Sequence, residues 1–330
     1  MSPDRSRLTG TLIVLVAAAL FATLGVFSRV ANEAGMSSFA FVAWRATIGA
    51  IGIWSVATWM HGRGWPIMPL AAMDVRTRTS LVVAIVVGTA LNLSIFLAFQ
   101  TTTLALALLG FYTYPAMVAA ASVLLGRERL DAPRVLALLL SIAGMAAVVL
   151  GGTESSAAGT SVALDAAPAA GSVGIGVALA LVAALCQAIF VLVSRGYAAV
   201  PTHQAMATIL AGTAVLATLV SVAVAGPGSV TLPLSSPDLL GLLVVVGLFA
   251  AALPSTLFLT GIRRIGAVRT GILMLFEPVA GVALAAAFVA EAVTPLQVAG
   301  GVTILLAAAL VQRAGATPDE AALVPLPGGP

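Results

Sequence analysis

Ten long apolar stretches fill almost the whole of this 330-residue chain. Each is about as long as a helix must be to cross a hydrocarbon layer of roughly 30 Å. Hydrophobic residues make up 61% of the sequence and charged residues only 8%, a composition that soluble globular proteins do not have. We therefore predict an all-α membrane protein with ten transmembrane helices, called spans one to ten, at 9–29, 38–60, 80–99, 103–125, 133–151, 173–194, 203–225, 238–260, 267–289 and 295–312.

The loop arginines indicate the orientation, because basic residues near span ends stay on the cytoplasmic side of the membrane. If the N-terminus is cytoplasmic, only Arg29 falls at an outer end, while Arg45 lies within a span. The remaining arginines then all lie on the inner side: Arg5, Arg7, Arg63, Arg76, Arg78, Arg127, Arg129, Arg134, Arg195, Arg263, Arg264, Arg269 and Arg313. We predict that both termini are cytoplasmic.

The two halves of the chain resemble each other. A shift of 163 residues lays Tyr114-Pro115 over Glu277-Pro278 and Glu128 over Glu291. Each half contains five spans, and an odd number means that the second half enters the membrane from the opposite side, as an inverted repeat. The predicted parts are a first repeat at 9–151, a flexible linker at 152–172, a second repeat at 173–312 and a disordered cytoplasmic tail at 313–330.

Charge differs between the halves in the way that inversion requires. Glu128, on the predicted inner side, is flanked by two arginines, whereas Glu291, on the outer side, is flanked by two alanines. Conversely, Gln100 on the outer side corresponds to Arg263 on the inner side. The pair Arg29 and Arg195 is the exception, so the pattern is a bias rather than a strict rule.

Three motifs occur along the chain in a characteristic order and spacing: Phe41-Val42-Ala43-Trp44-Arg45, Thr113-Tyr114-Pro115 through Gly126-Arg127-Glu128-Arg129-Leu130, and Phe276-Glu277-Pro278 through Glu291. Together they resemble the drug/metabolite transporter superfamily, specifically its ten-span proteins with two EamA-type repeats. The resemblance implies a permease of the bacterial-type inner (plasma) membrane that exports amino acids or other small metabolites, and in some members drugs. It also implies a cavity formed mainly by spans one to four and six to nine, with spans five and ten at the periphery.

Arg45 and Glu277 are the two charged residues well inside spans. An ionisable residue at the centre of a membrane helix costs roughly 2.5–3.5 kcal/mol on insertion scales, so both side chains should point inward. We expect Glu277 to line a central cavity and to contact an ammonium or another polar group of a substrate. Arg45 could share this site, or it could bind carbonyls or a neighbouring side chain and hold helices together.

Prolines and polar side chains fall near the same depth. Pro115 and Pro278 occupy equivalent places in spans four and nine, and Pro254 lies in span eight. Helix breaks at matching positions of two halves point to the binding site of a transporter, so these prolines are candidate kink and gating residues. The further candidate substrate-binding residues are Tyr114, Asn92, Ser255 and Gln187; the alternative for each is a hydrogen bond between helices.

The sequence predicts no enzyme, cofactor, metal site or nucleic-acid contact. It has no G-x-S-x-G, H-E-x-x-H or P-loop pattern, a single cysteine, and arginines that are scattered rather than clustered with aromatic residues. The expected partners are a small-molecule substrate and the lipid bilayer, and the chain is a monomer or a homodimer that packs through seams of small residues.

Several functional alternatives stay open at this point. One is a multidrug or toxic-compound efflux protein; others, outside transport, are a channel or a lipid-handling membrane protein. A channel would need a continuous polar pore, which one arginine and one glutamate do not supply. The first span has no acidic residue, so the glutamate-based exchange of the related four-span antiporters does not transfer, and both proton coupling and facilitated transport remain compatible.

Overall fold

The computed structural model describes residues 3–102, 104–126, 131–157, 172–289 and 293–313, and in these ranges the chain is entirely helical apart from its turns and connections. Nine stretches of this part are long and apolar enough to cross a membrane, and the tenth, Pro295–Val311, is a shorter apolar helix. The predicted all-α membrane fold is confirmed. Glu128, Glu291 and the tail beyond 313 lie outside the described residues.

Five of the spans are single helices and the others are interrupted or extended. Span two is Ser38–His61, span three Val75–Thr101, span five Ala132–Ala157, span seven Thr202–Ala225 and span ten Pro295–Arg313. Span six is Ser172–Val193 and ends in a short 3₁₀ turn, Ser194–Tyr197. The interrupted spans are one (Pro3–Phe21, Leu24–Glu33), four (Leu104–Phe111, Tyr114–Leu124), eight (Pro237–Val245, Val246–Ala252, Leu253–Ile265) and nine (Ala267–Met274, Glu277–Val289).

The fifth span is longer as a helix than as an apolar stretch. It continues to Ala157, into the segment 152–172 that the sequence predicts as a linker, and residues 158–171 of that segment lie outside the described ranges. Hydropathy marks where the membrane-facing surface ends, whereas helical hydrogen bonding continues through polar residues as well. Composition therefore predicts a linker that begins at residue 152, but it does not show that the helix of span five continues to Ala157.

Contacts between the two halves are related by a two-fold exchange. Span pairs that pack across the halves include two with seven, four with nine and five with ten, and also one with eight and three with six, two with eight and three with seven, and four with six and one with nine. If each span is replaced by the equivalent span of the other repeat, one by six, two by seven and so on, the same pairs of spans result. The two repeats therefore occupy equivalent places around a pseudo-two-fold axis that passes between the pairs two and seven, four and nine, and five and ten.

Spans two and seven run in opposite directions. At one end, Trp44 Nε1 near the start of span two donates to the Val230 carbonyl, which follows the end of span seven, at 2.9 Å. At the other end, Gln204 Nε2 near the start of span seven donates to the Met68 carbonyl, which follows span two, at 2.7 Å. Equivalent spans of the two repeats are antiparallel, as an inverted repeat requires.

Contacts at the span ends define two faces of the protein. On the face where span one begins, here the N-terminal face, Thr77 Oγ1 donates to the Gly196 carbonyl at 3.2 Å. On the opposite face, Gln100 Nε2 donates to Ser38 Oγ at 2.8 Å. On each face, a hydrogen bond thus joins the ends of two spans that the five-span topology places on that side of the protein.

Spans five and ten approach so closely that their backbones touch. A Cβ atom placed on Gly144 would lie 2.7 Å from the Gly300 carbonyl oxygen, and one placed on Gly300 would lie 2.5 Å from the Gly144 carbonyl oxygen. Such distances leave no room for a methyl group, which explains glycine at both positions. In lipid, close backbone packing of this kind replaces the hydrophobic driving force between helices.

We expect Gly300→Ala to destabilise the protein by about 1–3 kcal/mol, because the added methyl group must push the two backbones apart. Gly241→Ala is the matched control, since Gly241 is also helical and a methyl group there would meet nothing within 4 Å. At this position the better helix propensity of alanine should leave stability unchanged or raised. The midpoint of thermal unfolding in detergent measures both variants, and equal midpoints would contradict the close approach.

Candidate functional site

A cavity of about 530 Å³ lies between the two repeats. It reaches the opposite face at Asn32, Glu33 and Gln297, where Glu33 is exposed. Toward the N-terminal face it ends above a packed layer of fully buried side chains, among them Val14 and Leu259, which do not line it. The structure therefore shows a chamber that is open toward one face and closed toward the other.

All six candidate substrate-binding residues line this cavity. Spans two, three, four, six, eight and nine each contribute one of them, although these residues are far apart in the sequence. They are Arg45, Asn92, Tyr114, Gln187, Ser255 and Glu277. Spans five and ten also reach the cavity, through Val148 and Val149 of span five and Gln297 of span ten, so these two spans are less peripheral than the resemblance implies.

Spans four and nine are interrupted at matching positions beside the cavity. The first part of span four ends at Phe111 and that of span nine at Met274, and the second parts begin at Tyr114 and Glu277. Pro115 and Pro278 are the second residues of these new helices, where a helix needs no backbone N–H donor. The prolines therefore start helices rather than bend continuous ones, and they leave Tyr114 and Glu277 at the breaks.

The three candidate kink residues differ in exposure to the cavity. Pro278 lines it, whereas Pro115 and Pro254 are buried and do not. Pro254 follows the π-helical turn Val246–Ala252 of span eight and precedes Ser255, which lines the cavity. Turns of this kind often occur at functional sites, because they re-aim the next side chains. Its counterpart, span three, is an unbroken helix.

Glu277 faces the cavity from the first turn of its helix, where a negative charge is stabilised by the unpaired backbone N–H groups. Its carboxyl group interacts with Tyr112 through a side-chain hydrogen bond. The Phe111 ring packs against Tyr112 and Tyr114, with centroid distances of 5.3 Å and 5.4 Å. An aromatic cluster at the break of span four thus holds the tyrosines beside the carboxyl group on span nine.

Arg45 is 5% exposed and belongs to a second polar cluster in the same cavity. Its Nη2 atom donates to the Asn92 side-chain oxygen, and its guanidinium lies 5.3 Å from the Phe96 ring centroid. Asn92 Nδ2 donates to the Gly88 carbonyl at 2.7 Å, which fixes the orientation of the amide. Within the described residues, Arg45 Nε has no hydrogen-bond partner.

Arg45 and Glu277 are not paired with each other. In the described ranges the only ion pair is between Arg134 and Asp131. Among the described lining residues, the inner part of the cavity therefore contains one guanidinium, Arg45, and one carboxyl group, Glu277, while a second carboxyl group, Glu33, lies exposed at the opening. Arg45 and Glu277 each have a neutral hydrogen-bond partner. In the same ranges no group of three histidine, cysteine, aspartate or glutamate residues is arranged to hold a metal ion.

Sequence reasoning missed several residues of the lining as site residues. Tyr112 lies in the break of span four, and its position close to Pro115, where the helix is interrupted, was the available signal. Thr213 lines the cavity, and the Thr89 hydroxyl donates to its Oγ1 at 3.3 Å. The break of span one at Ala22–Thr23 also borders the cavity, but no proline marks it.

The Arg45–Asn92 contact makes a measurable prediction. A double-mutant cycle with Arg45→Gln and Asn92→Ala should give a coupling energy of about 1.5–3 kcal/mol, the range for a hydrogen bond with a charged partner. Stability in detergent is the readout. Arg45→Gln combined with Ser255→Ala is the control, and the two should be additive since no hydrogen bond joins Ser255 to Arg45 among the described residues. Additivity in both cycles would refute the contact.

Comparison with known proteins agrees with this architecture. A crystal structure of another protein superposes with a TM-score of 0.72 at 21% sequence identity, covering 92% of this chain and 97% of that one, which shows a shared fold. Comparison with curated protein sequences gave no match. The model of the EamA-like transporter family matches residues 8–150 and again 174–313, one match for each repeat. With both repeats matched and the cavity placed between them, this chain belongs to the EamA-like transporter family.

Proposed function

We propose that this membrane transporter moves small zwitterionic metabolites such as amino acids, and that it exports them across a bacterial-type inner membrane with both termini in the cytoplasm. The observation that carries the substrate class is the separation of charge in the cavity. Arg45 and Glu277 line one chamber, and neither neutralises the other. A ligand with one carboxylate and one ammonium would satisfy both groups at once.

The surroundings of the two charges suit such a ligand. Arg45 keeps an Nε donor without a partner in the described residues, and a buried donor of this kind gains from a carboxylate. Glu277 has Tyr112 as a neutral hydrogen-bond donor, so an ammonium group would be the cation that its carboxylate lacks. The remaining lining is rich in apolar side chains, including Phe96 and Phe258.

The size of the cavity supports a small molecule. Ligand pockets usually have volumes of about 300–1,000 Å³, and this cavity has about 530 Å³. The breaks of spans four and nine at the cavity support alternating access, because half-helices can tilt without breaking their own hydrogen bonds. In this mechanism the two repeats exchange conformations, and the cavity opens toward one face at a time.

A ligand screen tests the substrate class. Ligands that bind the folded state stabilise it by mass action, by about 2.7 kcal/mol when the concentration is 100 times the Kd. We expect amino acids with apolar side chains to raise the melting temperature of the purified protein, and nucleobases to have no effect. Stabilisation by cationic drugs alone would instead favour the multidrug alternative, since Glu277 and the apolar lining would also accept a hydrophobic cation.

Substitution of the two charges tests their roles. Binding of leucine, its deaminated acid and its decarboxylated amine should be compared in the native protein, Glu277→Gln and Arg45→Gln. The native protein should prefer the zwitterion. Glu277→Gln should lose discrimination against the acid and Arg45→Gln against the amine, each by roughly tenfold or more, since one charge-assisted hydrogen bond supports that factor. Unchanged preferences would remove both residues from the substrate site.

A further inference from the structure

The closed end of the cavity is held by contacts of Arg263 at the N-terminal face. Arg263 lies in the last turn of span eight. Its guanidinium donates to the Val200 carbonyl at 2.8 Å, to Thr202 Oγ1 at 2.9 Å and to the Tyr197 carbonyl at 3.0 Å. These three acceptors belong to the connection between spans six and seven, so one side chain ties span eight to the end of span six and the start of span seven.

Helix termini explain why these carbonyls bind the arginine. The last carbonyls of a helix have no partner within the helix, and a cation near them is also favoured by the helix dipole. Tyr197 ends the 3₁₀ turn that completes span six, and both Tyr197 and Val200 have fully buried side chains. The Tyr197 carbonyl also accepts from the Val200 N–H at 3.1 Å, whereas among the described residues only Arg263 donates to the Val200 carbonyl. Without Arg263 the Val200 carbonyl would need water, and the packed layer beneath the cavity excludes water.

The opposite face carries the counterpart of this contact in a reduced form. Gln100 precedes Arg263 by 163 residues, the shift that relates the repeats, and it lies at the end of span three as Arg263 lies at the end of span eight. It donates to Ser38, the first residue of span two, just as Arg263 donates to Thr202, the first residue of span seven. In the described chain no hydrogen bond joins Gln100 to the preceding connection, residues 34–37.

The difference between the two faces matches the state of the cavity. Spans three, four and six pack together, as do spans eight, nine and one, and the cavity lies between these two groups. The carbonyl contacts of Arg263 join span eight of one group to span six of the other, at the closed end. At the open end the corresponding contacts from span three to span one are absent among the described residues, and only the bond to span two remains.

We propose that Arg263 is a positioning residue that closes the N-terminal face of the cavity and makes the state open to the opposite face the resting state. This inference rests on the proposed transport by alternating access. Opening the N-terminal face must separate span eight from span six, which breaks the bonds to Tyr197 and Val200. Closing the opposite face forms weaker contacts than opening the N-terminal face breaks, because the neutral glutamine there has two side-chain donors whereas the arginine has five. The two repeats are therefore unequal in the strength of their closure.

A cysteine at the floor of the cavity reports which face is open. Met206 lines the cavity and is 2% exposed, and Cys186 is the single native cysteine. The reporter is Met206→Cys in a Cys186→Ala background, labelled with a membrane-impermeant maleimide in right-side-out and inside-out vesicles. Labelling of the parent should occur from the face that Glu33 and Gln297 border. Comparison of the two vesicle preparations gives the ratio of access from the two faces.

Arg263→Gln places in the second repeat the residue that the first repeat has at Gln100. The ratio of labelling from the N-terminal face to labelling from the opposite face should rise by roughly tenfold or more, the factor that the loss of one charge-assisted hydrogen bond supports. Arg264→Gln is the matched control. It removes the same charge one residue further along, where the side chain makes no hydrogen bond to the described residues, so the ratio should stay as in the parent.

Two further variants keep the proposal testable if Arg263→Gln does not insert. Thr202→Val removes one acceptor and should shift the ratio in the same direction by a smaller factor. Gln100→Arg should shift it in the opposite direction, because the opposite face gains the donors that it lacks. An unchanged ratio in folded Arg263→Gln, or equal shifts in Arg263→Gln and Arg264→Gln, would overturn the role of Arg263. Labelling does not depend on any substrate, so a wrong substrate class would leave these ratios as predicted while the ligand screen fails.

Discussion

Backbone hydrogen bonding in lipid is the constraint on which this structure depends. A peptide group inside the hydrocarbon layer cannot bond to water, so a helix crossing the membrane can be interrupted only where it borders protein or a polar cavity. Spans four and nine break at Tyr112–Thr113 and Leu275–Phe276, and both breaks lie against the central cavity. The break of span one at Ala22–Thr23 borders the same space. These helices are therefore interrupted where the cavity, rather than lipid alone, lies beside them.

Inversion of the repeats follows from the number of spans and decides how side chains meet. Five crossings in each half make equivalent spans antiparallel, so the start of one span meets the end of its counterpart. This arrangement places Gly144 against Gly300 and joins Trp44 to the connection after span seven. It also brings Tyr114 and Glu277, which occupy the same place in their repeats, to one cavity from two opposite directions. A backbone with two-fold pseudo-symmetry thus presents different side chains on its two sides of the cavity, and the proposed zwitterionic substrate would require that difference.

The sequence predicted the spans, and the six candidate residues that it selected line the cavity, because the free-energy cost of placing a polar side chain in lipid restricts where such residues occur in membrane helices. An arginine or a glutamate at such depth must face the protein interior, so the positions of Arg45 and Glu277 within spans predicted that both point inward. The sequence predicted the cavity lining for Glu277 and left open whether Arg45 shares that site. The partner of each charge was not predictable in this way. Arg45 binds Asn92 and Glu277 interacts with Tyr112, and these choices depend on rotation of helices about their axes. The π-helical turn of span eight, which directs Ser255, likewise leaves no pattern in hydropathy.

The positions of the arginines also connect membrane insertion to conformational preference. Basic residues are retained on the cytoplasmic side during insertion. In the proposed orientation this bias accounts for arginine in place of glutamine when the same repeat is threaded in the opposite direction, as at Gln100 and Arg263. An arginine at the end of a span meets the unpaired carbonyls of a neighbouring helix and binds them more strongly than a glutamine does. The face that receives the arginines for topological reasons is then also the face with the stronger closure. Under the proposed orientation and mechanism, the charges that orient the chain therefore also bias its alternating-access equilibrium, and the bonds of Arg263 to the Val200 and Tyr197 carbonyls are the contacts through which this bias would act.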